Sequence, residues 1–138
     1  MKKILVIPNT LKDADLTVTI DVLKKLREFG LIPLISNDFL AKIGDLAEYF
    51  VSYPSDADAI IVIGGDGSVI EASKVAIGLG IPLLGVNLGN LGYLSEVETD
   101  QLDILKKLKD DEYLIAEKML LEVEIFMMPS SRYASRQL

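Results

Sequence analysis

The chain has 138 residues, half of them hydrophobic, and a formal net charge of −7, which is enough for one domain with a sizeable core and argues against nucleic acid as a partner, because no basic stripe is present to displace counterions from a phosphate backbone. It contains no histidine and no cysteine, so Ser-His-Asp and Cys-His mechanisms, the usual zinc ligands and a disulfide framework are excluded, and chemistry falls to carboxylates, hydroxyls, lysines and a hard cation such as magnesium. The absence of cysteine fits a reducing cytoplasm, and no apolar run is long enough to span a bilayer.

Met1-Lys2-Lys3 followed by an apolar run briefly resembles a signal peptide, but the run ends at Pro8-Asn9 without a full apolar region or a small-residue cleavage site. Lys3 to Ile7 therefore reads as a first strand, and Pro8 to Asp15 as a polar loop holding Asn9, Lys12, Asp13 and Asp15. Leu16, Ile20, Leu23, Leu26 and Phe29 form a helical stripe that Gly30 ends, and Leu31 to Ile35 is the second strand. This βαβ unit predicts parallel strands with a right-handed crossover. Ile43, Leu46, Ala47 and Phe50 have helical spacing and predict a short helix; Pro54-Ser55-Asp56 is a turn.

Ala59 to Ile63 is a continuous apolar run rich in β-branched residues, the pattern of a central strand covered on both faces. It breaks into Gly64-Gly65-Asp66-Gly67-Ser68, and a helix follows, with Ser68 and Glu71 spaced as a capping box and Gly78 or Gly80 with Pro82 as the stop. An Asp-Gly hairpin turn is the plain alternative for this stretch, but the buried strand before it and the helical pattern after it argue against one. Bare glycines let several N–H groups approach phosphate oxygens near the positive end of a helix, and Asp66 is the group there able to take a proton or meet a metal.

Pro82 to Val86 is the next buried strand, and it dissolves into Asn87-Leu88-Gly89-Asn90-Leu91-Gly92-Tyr93-Leu94. In an open parallel sheet the loops at the carboxyl ends of the strands share one crevice. Residues 8–15, 64–68 and 87–93 should therefore meet there. Asn9 and Lys12 are in reach of phosphates, Asn87 of a substrate or of the Gly64 loop, and Tyr93 of a base or nicotinamide ring. Each has an ordinary alternative: turn chemistry for Asn87 and Asn90, core packing for Tyr93, a solvated surface side chain for Lys12. Asp100 to Lys109 predicts a further helix capped by Thr99 or Asp100, with Leu102, Leu105 and Leu108 buried and Lys106, Lys107 and Lys109 as a solvated end that suits the helix dipole. Met119 to Ile125 alternates apolar and acidic residues like a strand with one wet face. Residues 126–138 show no periodicity and turn basic at Arg132 and Arg136, and are expected to be a disordered tail outside the domain.

The pairing of Gly64-Gly65-Asp66-Gly67-Ser68 with Gly85-Val86-Asn87-Leu88-Gly89-Asn90-Leu91-Gly92-Tyr93-Leu94-Ser95-Glu96 about twenty residues later resembles the amino-terminal domain of bacterial NAD kinases, over roughly residues 1–125. The first motif alone also resembles diacylglycerol and sphingosine kinases, so a lipid kinase of the diacylglycerol type and a non-catalytic nucleotide-binding module are the other readings. The resemblance implies an α/β, Rossmann-like parallel sheet with flanking helices, and ATP- or polyphosphate-dependent phosphorylation of the 2′-hydroxyl on the adenosine ribose of NAD with a divalent cation such as Mg²⁺. It implies Asp66 as the catalytic carboxylate, Gly67 against the ligand and Tyr93 beside the dinucleotide. Gly64, Gly65, Ser68, Asn9, Lys12 and Asn87 complete the expected binding set. The family continues into a β-rich second domain that is not found in these 138 residues, so the expectation is weak NAD binding and little turnover by this stretch alone, with homo-oligomers at full length.

Overall fold

A computed structural model of the chain describes residues 2–88 and 97–110. The first βαβ unit consists of β1 (Lys3–Ile7), α1 (Thr17–Glu28) and β2 (Ile32–Ser36). A 3₁₀ turn at Asn37–Phe39, the single-turn α2 (Leu40–Ile43) and a second 3₁₀ turn at Gly44–Leu46 lead into β3 (Glu48–Phe50). The second unit is β4 (Ala59–Gly64), α3 (Asp66–Leu79) and β5 (Leu83–Asn87). β6 (Val97–Glu98), a 3₁₀ turn at Leu102–Leu105 and α4 (Lys106–Lys109) follow.

Among the described residues the strands form one six-stranded sheet in the order β3-β2-β1-β4-β5-β6, with each neighbouring pair parallel. From β1 the chain moves to one side of the sheet and from β4 to the other. Right-handed crossovers then require α1 and α3 to lie on opposite faces. The packing agrees, because successive side chains of a strand point to opposite faces. Ile4, Val6, Ile61 and Ile63 pack with Val22, Leu23 and Leu26 of α1, whereas Leu5 and Ile60 pack with Ala76, and Val62 with Val69 and Ala72, of α3. β4 is buried along its whole length. Each fully buried Ile or Val contributes roughly 1.5–3 kcal/mol of transfer free energy, so β4 is the element around which both layers assemble.

Exposed ion pairs tie the lower edges. Lys3 lies 2.6 Å from Asp56, which holds the ammonium above its ordinary range and the carboxyl below its own. Lys25 on α1 meets Asp103 at 2.6 Å and its pKa is likewise raised. Exposed pairs of this kind contribute little to stability.

The expected doubly covered parallel sheet is present, and Leu102, Leu105 and Leu108 are buried as their spacing predicts. Three local expectations are corrected. The predicted helix through Phe50 breaks at Gly44, whose φ is +63°, and residues 48–50 join β2 as a strand. The Ser68–Glu71 capping box does not form: α3 starts two residues earlier, with Gly65 as its cap and no side-chain cap. Residues 102–109 divide into a 3₁₀ turn and a single α-turn behind Gln101, without a side-chain cap from Thr99 or Asp100. The expected strand at 119–125 and the tail at 126–138 lie outside the described residues. Among the described residues no helix is long and apolar enough to cross a membrane.

Candidate functional site

β1 and β4 lie side by side, with Ile7 opposite Val62, yet the chain leaves them in opposite directions. A crevice at the carboxyl ends of two such strands is where open α/β sheets hold ligands. The loop after β1 and the glycine turn after β4 line it.

The loop after β1 is folded on itself by Asn9 and Asp13. Asn9 Oδ1 accepts the N–H groups of Leu11 and Lys12, both at 3.0 Å, and its carbonyl accepts that of Asp13 at 2.8 Å. Asp13 is buried and caps α1 from outside the helix: its carboxylate accepts Val18 N–H at 3.1 Å, Thr19 N–H at 2.9 Å and the Thr19 hydroxyl at 2.8 Å. Leu16 makes this possible by turning left-handed, at φ +59°. That conformation costs a β-carbon-bearing residue about 1–2 kcal/mol. Leu16 is only 1% exposed, and burying its side chain returns about 1.5–3 kcal/mol, so packing outweighs the strain.

At the end of β4, Gly64 has φ +151°, and a β-carbon there would lie 2.3 Å from Ser68 Oγ and 2.9 Å from Asn9 Nδ2. That close approach lets Asn9 Nδ2 donate to Ser68 Oγ at 3.0 Å, joining the two loops across the crevice. Gly65 caps α3 and its carbonyl accepts Val69 N–H at 3.1 Å. Lys12 Nζ rests against Gly65, 3.5 Å from where its β-carbon would be. Asp66, half-buried, is the first residue of α3, so a carboxylate stands at a helix start with Lys12 resting against the residue before it. Gly67 is exposed, and no described atom lies within 4 Å of a β-carbon built on it.

The structure thus brings Asn9, Lys12, Gly64, Gly65, Asp66, Gly67 and Ser68 together. Asn9 and Ser68 also bond to each other and Asn9 to its own loop backbone, while both residues border the open crevice. Asn87, opposite Gly64 in the sheet, is buried, with Nδ2 3.4 Å from Glu98 Oε1; the next N–H, of Leu88, donates to Gly64 carbonyl at 3.0 Å. This braces the glycine turn from the β5 side. Tyr93 and Asn90 lie outside the described residues. Sequence reasoning missed Asp13 as the α1 cap and Glu98 as the partner of Asn87. For Asp13 the signal was the Asp-x-x-x-x-x-Thr spacing to Thr19, which ordinary cap rules do not weigh because they look no further than the residue before the helix.

Among the described residues no group of three or more acidic side chains is gathered as a metal cage. One carboxylate at a glycine turn suits magnesium that arrives on phosphates and keeps most of its ligands from them.

The profile of the ATP-NAD kinase N-terminal domain matches residues 9–113. An NAD kinase from Thermoanaerobacter sp. strain X514 is 36% identical over 128 residues, covering 91% of this chain and 45% of its own length. Those from Caldanaerobacter subterraneus subsp. tengcongensis and Acetivibrio thermocellus are 37% and 32% identical over 128 residues each, covering 91% of this chain and 45% and 44% of their own lengths. The chain therefore spans somewhat under half the length of the curated relatives it matches. With the glycine turn at the sheet's switch point and this profile running from the loop after β1 through the second βαβ unit, the chain belongs to the NAD kinase family, of which it carries the N-terminal domain fold.

Proposed function

We propose that this domain supplies the phosphoryl-transfer half of an NAD kinase, which moves a phosphoryl group from ATP or polyphosphate to the 2′-hydroxyl of the adenosine ribose of NAD. The single observation that carries this is the placement of Asp66 in the first turn of α3, beside a central strand tip and directly after the Gly65 cap. Transfer of a phosphoryl group demands positioning and charge neutralisation more than covalent chemistry. Asp66 would accept the proton of the attacking hydroxyl. The Gly65–Gly67 amides and Lys12 would hold the donor's phosphates, and magnesium carried with those phosphates would neutralise the charge that builds on them. Asn9, Ser68 and Asn87 would keep the turn in shape.

The activity is proposed for a protein of the relatives' length. Under the same reading, residues 1–138 alone bind NAD weakly, because part of the dinucleotide grip is placed in the β-rich domain of the family, where the homo-oligomer contacts are also proposed. The test is NADP formation from NAD by a protein of that length, with ATP and with polyphosphate as donors, in the parent and in Asp66→Asn. Loss of the proton acceptor should lower kcat about 10²–10⁴-fold with the fold retained. Turnover within a few-fold of the parent would remove Asp66 from the mechanism.

A further inference from the structure

Asn9 sits between the loop that carries Lys12 and the turn that carries Asp66, and the chemistry of its partners fixes which way its amide points. The N–H groups of Leu11 and Lys12 can only donate, and both lie 3.0 Å from one end of the Asn9 side chain. That end is therefore the carbonyl oxygen, and the end 3.0 Å from Ser68 Oγ is the NH₂ group. An amide NH₂ group donates and does not accept. Ser68 Oγ is thus the acceptor of this bond, and its own proton is kept off the Asn9 side.

That proton needs an acceptor elsewhere. For a serine inside a helix the common one is the carbonyl four residues back. Here that is Gly64, whose carbonyl already accepts Leu88 N–H at 3.0 Å. Among the described residues none accepts the Ser68 proton. Ser68 is half-buried and borders the open crevice beside Ile7, Val62 and Ala72, whose side chains offer no acceptor. A group held in the crevice is the acceptor that remains. Asn9 acts through its oxygen as well. By taking two successive N–H groups it closes a turn over residues 9–12, and this seats the backbone of Lys12 where its ammonium rests against Gly65.

We propose that Asn9, which lies outside the glycine motif, is a positioning residue for phosphate binding. Its NH₂ group turns the Ser68 hydroxyl into a donor aimed at an anionic oxygen in the crevice, while its carbonyl seats Lys12. The proposal rests on the phosphotransfer reading above and adds to it a residue that acts through the polarity of its neighbour. A hydrogen bond to a charged group contributes about 1.5–3 kcal/mol, which corresponds to roughly tenfold to 150-fold in affinity.

The experiment is calorimetric titration of the 138-residue protein with magnesium tripolyphosphate, in the parent, Asn9→Asp, Ser68→Ala and the double variant, with amide NMR of Leu11 and Lys12. Aspartate keeps the oxygen that those two N–H groups need and replaces the NH₂ donor by an acceptor. Ser68 then turns its proton to residue 9 and its lone pairs to the crevice. The Leu11 and Lys12 amide signals should stay at their parent positions in Asn9→Asp. Affinity should fall at least tenfold in each single variant, and Asn9→Asp should cost at least fivefold less when Ser68 is already alanine. A new negative charge acting directly on the phosphates would cost the same in both backgrounds, and that result overturns the proposal. So do parent-like affinity in Ser68→Ala, which removes only a hydroxyl, and displaced Leu11 and Lys12 amides in Asn9→Asp, which would trace its loss to the loop. Each of these leaves the phosphate-holding turn in place. Failure of the parent to bind tripolyphosphate overturns the turn and the role of Asn9 together.

Discussion

Gly64 and Gly67 stand three residues apart in one motif, and the fold needs only the first of them. At Gly64 a β-carbon would press on Ser68 and Asn9 at a backbone angle of +151°. Strained backbone and overpacking each cost about 1–3 kcal/mol. Gly64→Ala should therefore lower the stability of the domain by roughly 2–6 kcal/mol, read from urea unfolding midpoints. At Gly67 a β-carbon would meet no described atom within 4 Å, and the residue already sits in the helix. Replacing glycine in a helix by alanine gains up to about 1 kcal/mol. Gly67→Ala should hold or raise the unfolding midpoint, yet weaken phosphate binding at the turn at least tenfold. Unchanged binding in that variant would show that the bare position serves no ligand. The motif was visible in the sequence, but the division of labour between its glycines was not, since it depends on Asn9, 55 residues earlier.

Among the elements, α1 has the least conventional start. Its cap is a buried aspartate three residues before the left-handed Leu16, and the nearer Asp15 is exposed. Asp13→Ala would strand the N–H groups of Val18 and Thr19 and the Thr19 hydroxyl, and Thr19 is fully buried. Losing a cap costs about 1 kcal/mol, and a buried unsatisfied donor adds about 1–3 kcal/mol. The expected loss is about 2–4 kcal/mol, against a change within about 0.5 kcal/mol for Asp15→Ala at the surface. Equal effects from the two in thermal melts would overturn the assignment of the cap. Legibility at this scale follows the range of the interactions. β1, β4 and α1 were readable because their apolar periodicity is local and strong. β3 was not: Ile43, Leu46, Ala47 and Phe50 have helical spacing, but Gly44 turns the chain and residues 48–50 gain backbone partners on β2, a long-range pairing that local pattern does not encode. β6, two residues long, is held in the same way by β5.

For the whole molecule, the sheet order makes the site a junction between two βα units that diverge from neighbouring strands. The parallel class and the meeting of the first two loops could be read from alternating strand and helix patterns, whereas the bond that joins those loops could not. Asn9 Nδ2 to Ser68 Oγ links residues 59 apart, one following β1 and the other in the first turn of α3. If that bond couples the two units, its energy is measurable apart from the other roles of each partner. Asn9→Ala alone also frees the N–H groups of Leu11 and Lys12, so its single effect overstates the bond. A double-mutant cycle with Ser68→Ala cancels those terms. A part-buried neutral hydrogen bond gives a net of about 0.5–1.5 kcal/mol, and the coupling in urea unfolding should fall in that range. Hydrogen exchange gives the second readout: in either single variant the amides of residues 65–68 should lose protection together with those of 9–13, since each loop is held by the other. Additive stability changes, with the two loops exchanging independently, would mean that the crevice is shaped by each strand end on its own.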